Sequence, residues 1–160
     1  MQARLEYSKV APGTLKAMMG LETYVRHCGL ETSLLELVKV RSSQINGCAY
    51  CVDMHTKDAR AEGETEQRLY AVAVWREAPF FTDRERAALA WTEAVTLIGQ
   101  TGAPDDVYQQ VRKYFSEEET VNLTMAIVTI NGWNRLAVSF RAVAGEYQPP
   151  AHLKKTGTAQ

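Results

Sequence analysis

The sequence predicts an all-α protein, folded as a bundle of about six or seven helices. Apolar residues recur every three or four positions through most of the 160 residues, which is the spacing of one helix face. Helix-ending residues separate these segments at short intervals, and no segment shows the alternation of apolar and polar residues typical of a half-buried strand. Because apolar stripes need partners to cover them, we expect the helices to pack on one another.

The helix boundaries follow from residues that favour helix starts and ends. Pro12 opens the first helix and Gly29 ends it, while Asn46-Gly47 separates the second helix from the third. The fifth and seventh helices each begin with a capping-box pattern, a hydroxyl residue three positions before a glutamate. The seven expected helices cover about residues 12–27, 32–44, 48–61, 65–76, 82–98, 104–115 and 116–143.

The composition indicates one ordinary globular domain. With 18 basic and 19 acidic side chains the net charge is −1, which argues against binding to nucleic acid. No apolar run approaches the roughly 20 residues that cross a membrane, and the N-terminus lacks the apolar core of a signal peptide, so we expect a cytoplasmic protein. We expect residues 1–145 to form the domain, and residues 146–160, which include Pro149-Pro150, to form a mobile tail.

Two cysteines and a histidine share one helix face at the predicted start of the third helix. Cys48, Cys51 and His55 fall within an arc of about 60° when residues are spaced by 100°. One turn separates the two cysteines, a spacing at which a disulfide is reasonable, and one turn separates Cys51 from His55. The helix N-terminus favours a thiolate at Cys48. Together these features indicate redox-active thiols with a base beside them.

Structural interpretations compete with this one. Buried cysteines often act as small hydrophobic residues, and the Cys-x-x-Cys spacing also occurs by chance. Cys48, Cys51 and His55 would also suit a structural zinc ion, although no second cluster supplies a fourth ligand at the usual spacing. Glu36 has a structural explanation too, because Ser33 to Glu36 fits a capping box at the start of the second helix. A tight turn between the second and third helices would instead bring Glu36 to the thiols.

These residues resemble the alkylhydroperoxidase AhpD-like family within the carboxymuconolactone decarboxylase superfamily. A second, weaker match lies at Asn131-Gly-Trp133-Asn134-Arg135-Leu136. The resemblance covers about residues 15–145 and implies an all-helical fold that works as a homo-oligomer. The first match consists of Glu36, eleven intervening residues, Cys48-Ala-Tyr-Cys51 and His55, with the flanking Ser43-Gln-Ile-Asn-Gly47 and Ala59.

The resemblance also implies a thiol peroxidase that reduces organic hydroperoxides to alcohols. Cys51 would attack the peroxide and become a sulfenic acid, and Cys48 would condense with it to give a disulfide. Glu36 and His55 would form the proton relay, and an external dithiol would reduce the disulfide. We expect no metal at the site, and no flavin or nicotinamide cofactor, because the chain has no Gly-rich nucleotide motif.

The residues alone leave the order of the two thiols open. The helix N-terminus favours Cys48 as the more acidic thiol, whereas the spacing places His55 nearer to Cys51. Following the resemblance, we take Cys51 as the nucleophile. Some family members carry a histidine between the cysteines, where this chain has Tyr50, a poor proton acceptor at neutral pH.

Two other functions also stay open. The first is a carboxymuconolactone decarboxylase-like enzyme, a branch that does not rely on a cysteine pair. The second is a redox-sensing or stress-response module, in which the disulfide switches an interface without turnover. An enzyme consumes peroxide repeatedly, whereas a sensor is oxidised once, so turnover separates these readings.

Several other residues have weaker indications. Cys28 is expected to be a buried small residue, and His152 is expected to have no specific role. The tryptophans are expected to anchor the core or an interface. The loop Pro79-Phe80-Phe81 is expected to line a pocket or to pack on a neighbouring subunit. A polar group in the last helix is expected to order a subunit interface, the wall of the site or a helix cap: Asn131, Asn134 and Arg135.

Overall fold

The computed structural model describes residues 2–151, and within that range the protein is all-helical, with no β-strand. His152 and the rest of the predicted tail beyond residue 151 lie outside the described residues. The helices are α1 (Tyr7–Val10), α2 (Pro12–Arg26), α3 (Thr32–Ile45), α4 (Ala49–Ala61), α5 (Glu66–Ala71) with a 3₁₀ turn (Val72–Val74), α6 (Asp83–Thr96), α7 (Ile98–Thr101), α8 (Asp105–Arg112) and α9 (Glu117–Phe140).

The all-helical prediction is confirmed, but the number of helices is not six or seven. Residues 2–151 contain nine α-helices, because α1 and α7 have four residues each, too few to produce a periodic pattern. The predicted fourth helix is α5 continued by the 3₁₀ turn. The last helix ends at Phe140, short of the predicted residue 143, because Arg141 takes a left-handed conformation with φ of 56°.

Both predicted capping boxes are present. At α6, the Thr82 hydroxyl accepts from the Glu85 N–H and the Glu85 carboxylate accepts from the Thr82 N–H. Ser116 and Glu119 make the same reciprocal pair at α9. Such a cap contributes about 1 kcal/mol to helix stability and fixes the residue at which the helix begins.

Helix α3 lies at the centre of the bundle and packs against α4, α6 and α9. Leu34 and Val38 face one apolar core, which α6 and α9 complete, and Leu37 and Val40 face a second core beside the 3₁₀ turn. Covering α3 on several sides also buries its polar residues, and this places the site described below inside the bundle. No helix within residues 2–151 combines the length and apolar character that a membrane crossing requires.

Three predictions about apolar residues have mixed outcomes. Trp75 and Trp91 are buried in the cores, as predicted. Cys28 is only half-buried and packs at the edge of the first core. In the loop between α5 and α6, Phe81 is buried in the second core while Phe80 is 38% exposed. Neither residue lines the pocket at the cysteines, and packing on a neighbouring subunit stays a prediction.

Candidate active site

The turn between α3 and α4 determines where the two cysteines lie. Gly47 has φ of 65°, the left-handed conformation that favours glycine. The Asn46 side-chain amide donates to the side-chain oxygens of Asn131 and Asn134 on α9, each at 2.9 Å. The Cys48 N–H donates back to a carbonyl in the last turn of α3 at 2.9 Å. The two asparagines of α9 therefore hold the turn, and the turn sets the start of α4.

The cysteines occupy the first turn of α4. Cys48 is the N-cap residue, and a disulfide joins it to Cys51, with the two Cα atoms 5.4 Å apart. The Cys51 N–H points to the Cys48 sulfur at 3.4 Å. Both side chains are 2% exposed and pack against Ile130 and Ala137 of α9. The unpaired N–H groups at this helix end favour a thiolate on the reduced pair.

A buried carboxylate pairs with the histidine one turn further along α4. His55 Nδ1 lies 2.8 Å from Glu36 Oε2, and both residues are 5% exposed. The imidazole donates through Nδ1, which leaves Nε2 as the nitrogen that accepts a proton. Glu36 is not a capping residue, because the N-cap of α3 is Glu31 and Ser33 lies inside the helix. The turn thus brings Glu36 to His55, whereas the second interpretation of Glu36 placed it at the thiols.

A buried lysine links this pair to a second carboxylate. Lys39 Nζ lies 3.1 Å from Glu36 Oε1 and 2.9 Å from Glu22 Oε1 of α2. Burial lowers the pKa of Lys39, but the two carboxylates outweigh burial and raise the pKa overall. For Glu36 the directions are reversed: burial raises the pKa of the carboxyl group, but His55 and Lys39 outweigh burial and hold this pKa at about 2. Two carboxylates against one ammonium leave a net negative charge beside His55.

A pocket of about 340 Å³ opens beside Cys51, and Cys48 does not line it. Among the described residues that line it, most are apolar or aromatic and Glu6 alone is charged. Part of the wall is the N-terminal segment, which is held by a hydrogen bond of 2.9 Å from the Arg4 N–H to the Phe140 carbonyl. The lining residues are Ala3, Leu5, Glu6, Tyr7, Ser8, Tyr50, Cys51, Met54, Trp133, Ala137, Phe140, Ala142 and Val143.

Three side chains near the cysteines carry atoms of the kind that bind metal ions. Glu36, His55 and Asp58 each offer one potential ligand atom, and these atoms lie within 4.8 Å of one another. Lys39 already pairs with Glu36, and its ammonium repels a metal cation, while the Tyr147 hydroxyl donates to Asp58. The three groups therefore fit a hydrogen-bonded network better than a metal centre. In the disulfide the two sulfurs bond to each other, so only the reduced pair could hold the zinc ion considered from the sequence.

Sequence reasoning missed four residues of this network. Lys39 lies three positions after Glu36 and Asp58 lies three positions after His55, so the helical spacing of charged residues was an available signal for both. Glu22 and Tyr147 come from distant parts of the chain. No local pattern identifies such residues, because only the tertiary fold brings them to the site.

A helical bundle with a vicinal cysteine pair at a helix start, backed by a buried Glu–His pair, defines the class of AhpD-like proteins. The carboxymuconolactone decarboxylase family model matches residues 12–94. The chain belongs to that family, as an AhpD-like member. The family and the fold support a peroxidase-related or decarboxylase-like role.

Three similar proteins illustrate this membership. The uncharacterized protein YdfG of Bacillus subtilis is 44% identical over 139 residues, which span 87% of this chain and 95% of that protein. The crystal structure of a protein of unknown function from Agrobacterium tumefaciens, described as a proposed antioxidant defence protein AhpD, is 49% identical. It has a TM-score of 0.89 and covers 91% of this chain and 100% of its own. An uncharacterized peroxidase-related protein from Ralstonia eutropha, with an AhpD core, is 20% identical, has a TM-score of 0.77, and covers 87% of this chain and 74% of its own.

Proposed function

We propose that the protein is a thiol-dependent peroxidase that reduces organic hydroperoxides. Cys51 is the nucleophile, Cys48 is the resolving thiol, and Glu36 with His55 forms the proton relay. The position of Cys51 carries this proposal. Cys51 lines an apolar pocket, whereas Cys48, to which it is bonded, does not line that pocket. A substrate in the pocket reaches Cys51 first.

The chemistry balances with one external dithiol for each peroxide. The Cys51 thiolate attacks one peroxide oxygen, the O–O bond breaks, and the alkoxide takes up a proton to leave as an alcohol. Cys51 is now a sulfenic acid, and the Cys48 thiol attacks its sulfur, which releases water and forms the disulfide. An external dithiol then reduces the disulfide and is itself oxidised.

The Glu36–His55 pair supplies proton transfer at this step. His55 accepts the thiol proton through Nε2, while Glu36 holds the ring through Nδ1 and stabilises the imidazolium that forms. The same imidazolium is then a proton donor for the leaving alkoxide. Tyr50 lines the pocket but is a poor base, so the relay in this chain consists of Glu36 and His55.

The pocket wall supports an apolar substrate. Tyr7, Trp133 and Phe140 supply aromatic surface, and Glu6 repels rather than attracts a carboxylate. A substrate acid of the decarboxylase type would need a cation in the wall, and none of the lining residues within 2–151 is lysine or arginine. The lining therefore favours an uncharged alkyl or aryl hydroperoxide over an acidic lactone.

Turnover of cumene hydroperoxide with dithiothreitol as the reductant tests the proposal. The unmodified chain should consume many equivalents of peroxide. Cys51→Ser should abolish consumption, whereas Cys48→Ser should accumulate a dimedone-reactive sulfenic acid on Cys51. Cys28→Ser is the matched control, since Cys28 is the third cysteine and lies outside the site.

Each alternative function gives a different result. Oxidation of one equivalent without further consumption contradicts the peroxidase and indicates a redox sensor. Full activity in Cys51→Ser contradicts the assigned roles. Stable free thiols in the presence of excess peroxide contradict the thiol mechanism and favour the decarboxylase-like role.

A further inference from the structure

The last described part of the chain contacts the proton relay from outside. Tyr147 Oη donates to Asp58 Oδ1 at 2.7 Å. Asp58 lies three residues after His55 on α4, on the same side of the helix. One carboxylate oxygen each of Asp58 and Glu36 and one ring nitrogen of His55 lie within 4.8 Å of one another, so a second carboxylate lies near the imidazole. Asp58 has no part in the mechanism described so far.

The segment that carries Tyr147 is attached to α4 by contacts separate from Asp58. Lys57 Nζ donates to the carbonyls of Tyr147 at 3.0 Å and Gly145 at 3.3 Å. The Gly145 N–H donates to Asp53 Oδ2 at 3.0 Å. Asp53 and Lys57 therefore bind the backbone of the segment, while Asp58 accepts the hydrogen bond from the Tyr147 hydroxyl. These two tasks fall on different residues and can be separated by mutation.

The charged and titratable groups that face Asp58 come from three elements. Glu36 and Lys39 lie on α3, His55 lies on α4, and Tyr147 belongs to the C-terminal segment. Burial raises the pKa of Asp58, and Glu36 adds to that rise, whereas the Tyr147 hydroxyl, His55 and Lys39 oppose it; the net direction is upward. Burial and Asp58 together raise the pKa of Tyr147, so its hydroxyl stays a donor.

We propose that Asp58 is a positioning residue of the relay: a second carboxylate beside His55, oriented by Tyr147, that favours the imidazolium and so strengthens His55 as the base for Cys51. This inference rests on the proposed function and extends it. Glu36 is paired with Lys39 as well as with His55, so its charge is shared. Asp58 adds negative charge beside the same imidazole. The contact that orients Asp58 comes from the uncharged hydroxyl of Tyr147.

The test measures thiolate formation at Cys51, without peroxide. The reduced protein is alkylated with iodoacetamide across a range of pH, and the rate at Cys51 is followed by peptide mapping. Asp58→Asn should raise the midpoint of the alkylation profile by about one pH unit, because without the nearby anion fewer molecules carry the His55 imidazolium that stabilises the thiolate. Tyr147→Phe, which removes only the hydroxyl, should shift the midpoint in the same direction by less.

Asp53→Asn is the matched control, because it removes a carboxylate from the same helix and loosens the same segment without touching the relay. Its midpoint should equal that of the unmodified chain. An unchanged midpoint in Asp58→Asn overturns the proposal, and so does an equal shift in Asp53→Asn, which would make the effect one of segment docking. If Asp58→Asn fails to fold by circular dichroism, Tyr147→Phe decides, and an unchanged midpoint there overturns the proposal.

The two proposals fail in distinguishable ways. Alkylation does not require peroxide chemistry, so the expected midpoint shifts combined with no peroxide consumption would refute the peroxidase while leaving Asp58 as a residue that acts on His55. Normal peroxide consumption with unchanged midpoints would refute only the role of Asp58.

Discussion

At the scale of single residues, the site depends on a buried charge network rather than on the cysteines alone. Glu36 meets His55 at 2.8 Å and Lys39 at 3.1 Å, and Lys39 continues to Glu22 at 2.9 Å. Each ion is desolvated, and each has a partner at hydrogen-bond distance. Removing one member of such a network leaves an uncompensated buried charge, which is far more costly than the loss of a surface pair.

The pKa of Glu36 predicts a specific acid sensitivity. Its folded value of about 2 lies below the ordinary 4.5, so the pairing stabilises the fold above about pH 4.5 and this stability is lost as the pH falls towards 2. The difference corresponds to about 3 kcal/mol. Urea unfolding between pH 7 and pH 3 should therefore show a steep loss of stability in the unmodified chain and a flatter profile in Glu36→Gln.

Glu6→Gln is the control for this measurement, because Glu6 is largely exposed and its ion pair with Lys9 lies at the surface. Its pH profile should match that of the unmodified chain. If the free energy of unfolding falls with pH equally steeply in Glu36→Gln and in Glu6→Gln, the buried network does not cause the loss of stability in acid.

At the scale of elements, the short turn between α3 and α4 does most to assemble the site. It folds α4 back along α3, and the Asn46 contacts to α9 keep it in place. The first turn of α4 then presents both sulfurs, and its second turn presents His55 to Glu36. A small change in the turn therefore moves all the reactive groups together.

Substitution at Gly47 tests the importance of the turn. Gly47→Ala places a side chain in a left-handed conformation and should cost about 1–2 kcal/mol in urea unfolding, together with slower alkylation of Cys51. Gly20→Ala is the control, since Gly20 lies inside α2 with open space around its Cα and should gain about 0.5–1 kcal/mol. Equal effects at both positions would contradict the argument.

The sequence predicted the long elements and the centre of the site because their signals are local. Cys48, Cys51 and His55 share a helix face through spacing alone, and the capping boxes at Thr82 and Ser116 mark helix starts directly. Glu36 was ambiguous, because only the packing of α3 on α4 decides between a cap and a relay. The partners of Lys39 and Asp58 were not predictable, since Glu22 and Tyr147 approach them only in the folded chain.

At the scale of the whole molecule, part of the last helix has no cover within residues 2–151. Val121 and Val128 of α9 lie two turns apart on the same face and are 61% and 45% exposed. Further along the same face, Met18 of α2 packs on Gly132. The homo-oligomer that the family resemblance implies stays a prediction, and we expect this uncovered part of α9 to form its interface.

Light scattering after size exclusion tests this prediction. The mass should be a multiple of 17.9 kDa, and Val128→Lys should lower it towards one subunit, because a charge in an apolar interface is desolvated without a partner. Val10→Lys, at an apolar residue of α1 that is 65% exposed, should leave the mass unchanged. If the unmodified chain has the mass of one subunit at all concentrations, the exposed face of α9 is not a subunit interface and the prediction is wrong.

The proposed function depends on one reaction of the intact protein, the oxidation of Cys48 and Cys51 by a hydroperoxide. The most direct measurement is the intact mass of the reduced chain after one equivalent of cumene hydroperoxide, with peptide mapping. The thiol mechanism predicts a loss of about two mass units, located in a disulfide between Cys48 and Cys51 that does not form in Cys51→Ser. An unchanged mass with both thiols reduced would contradict it.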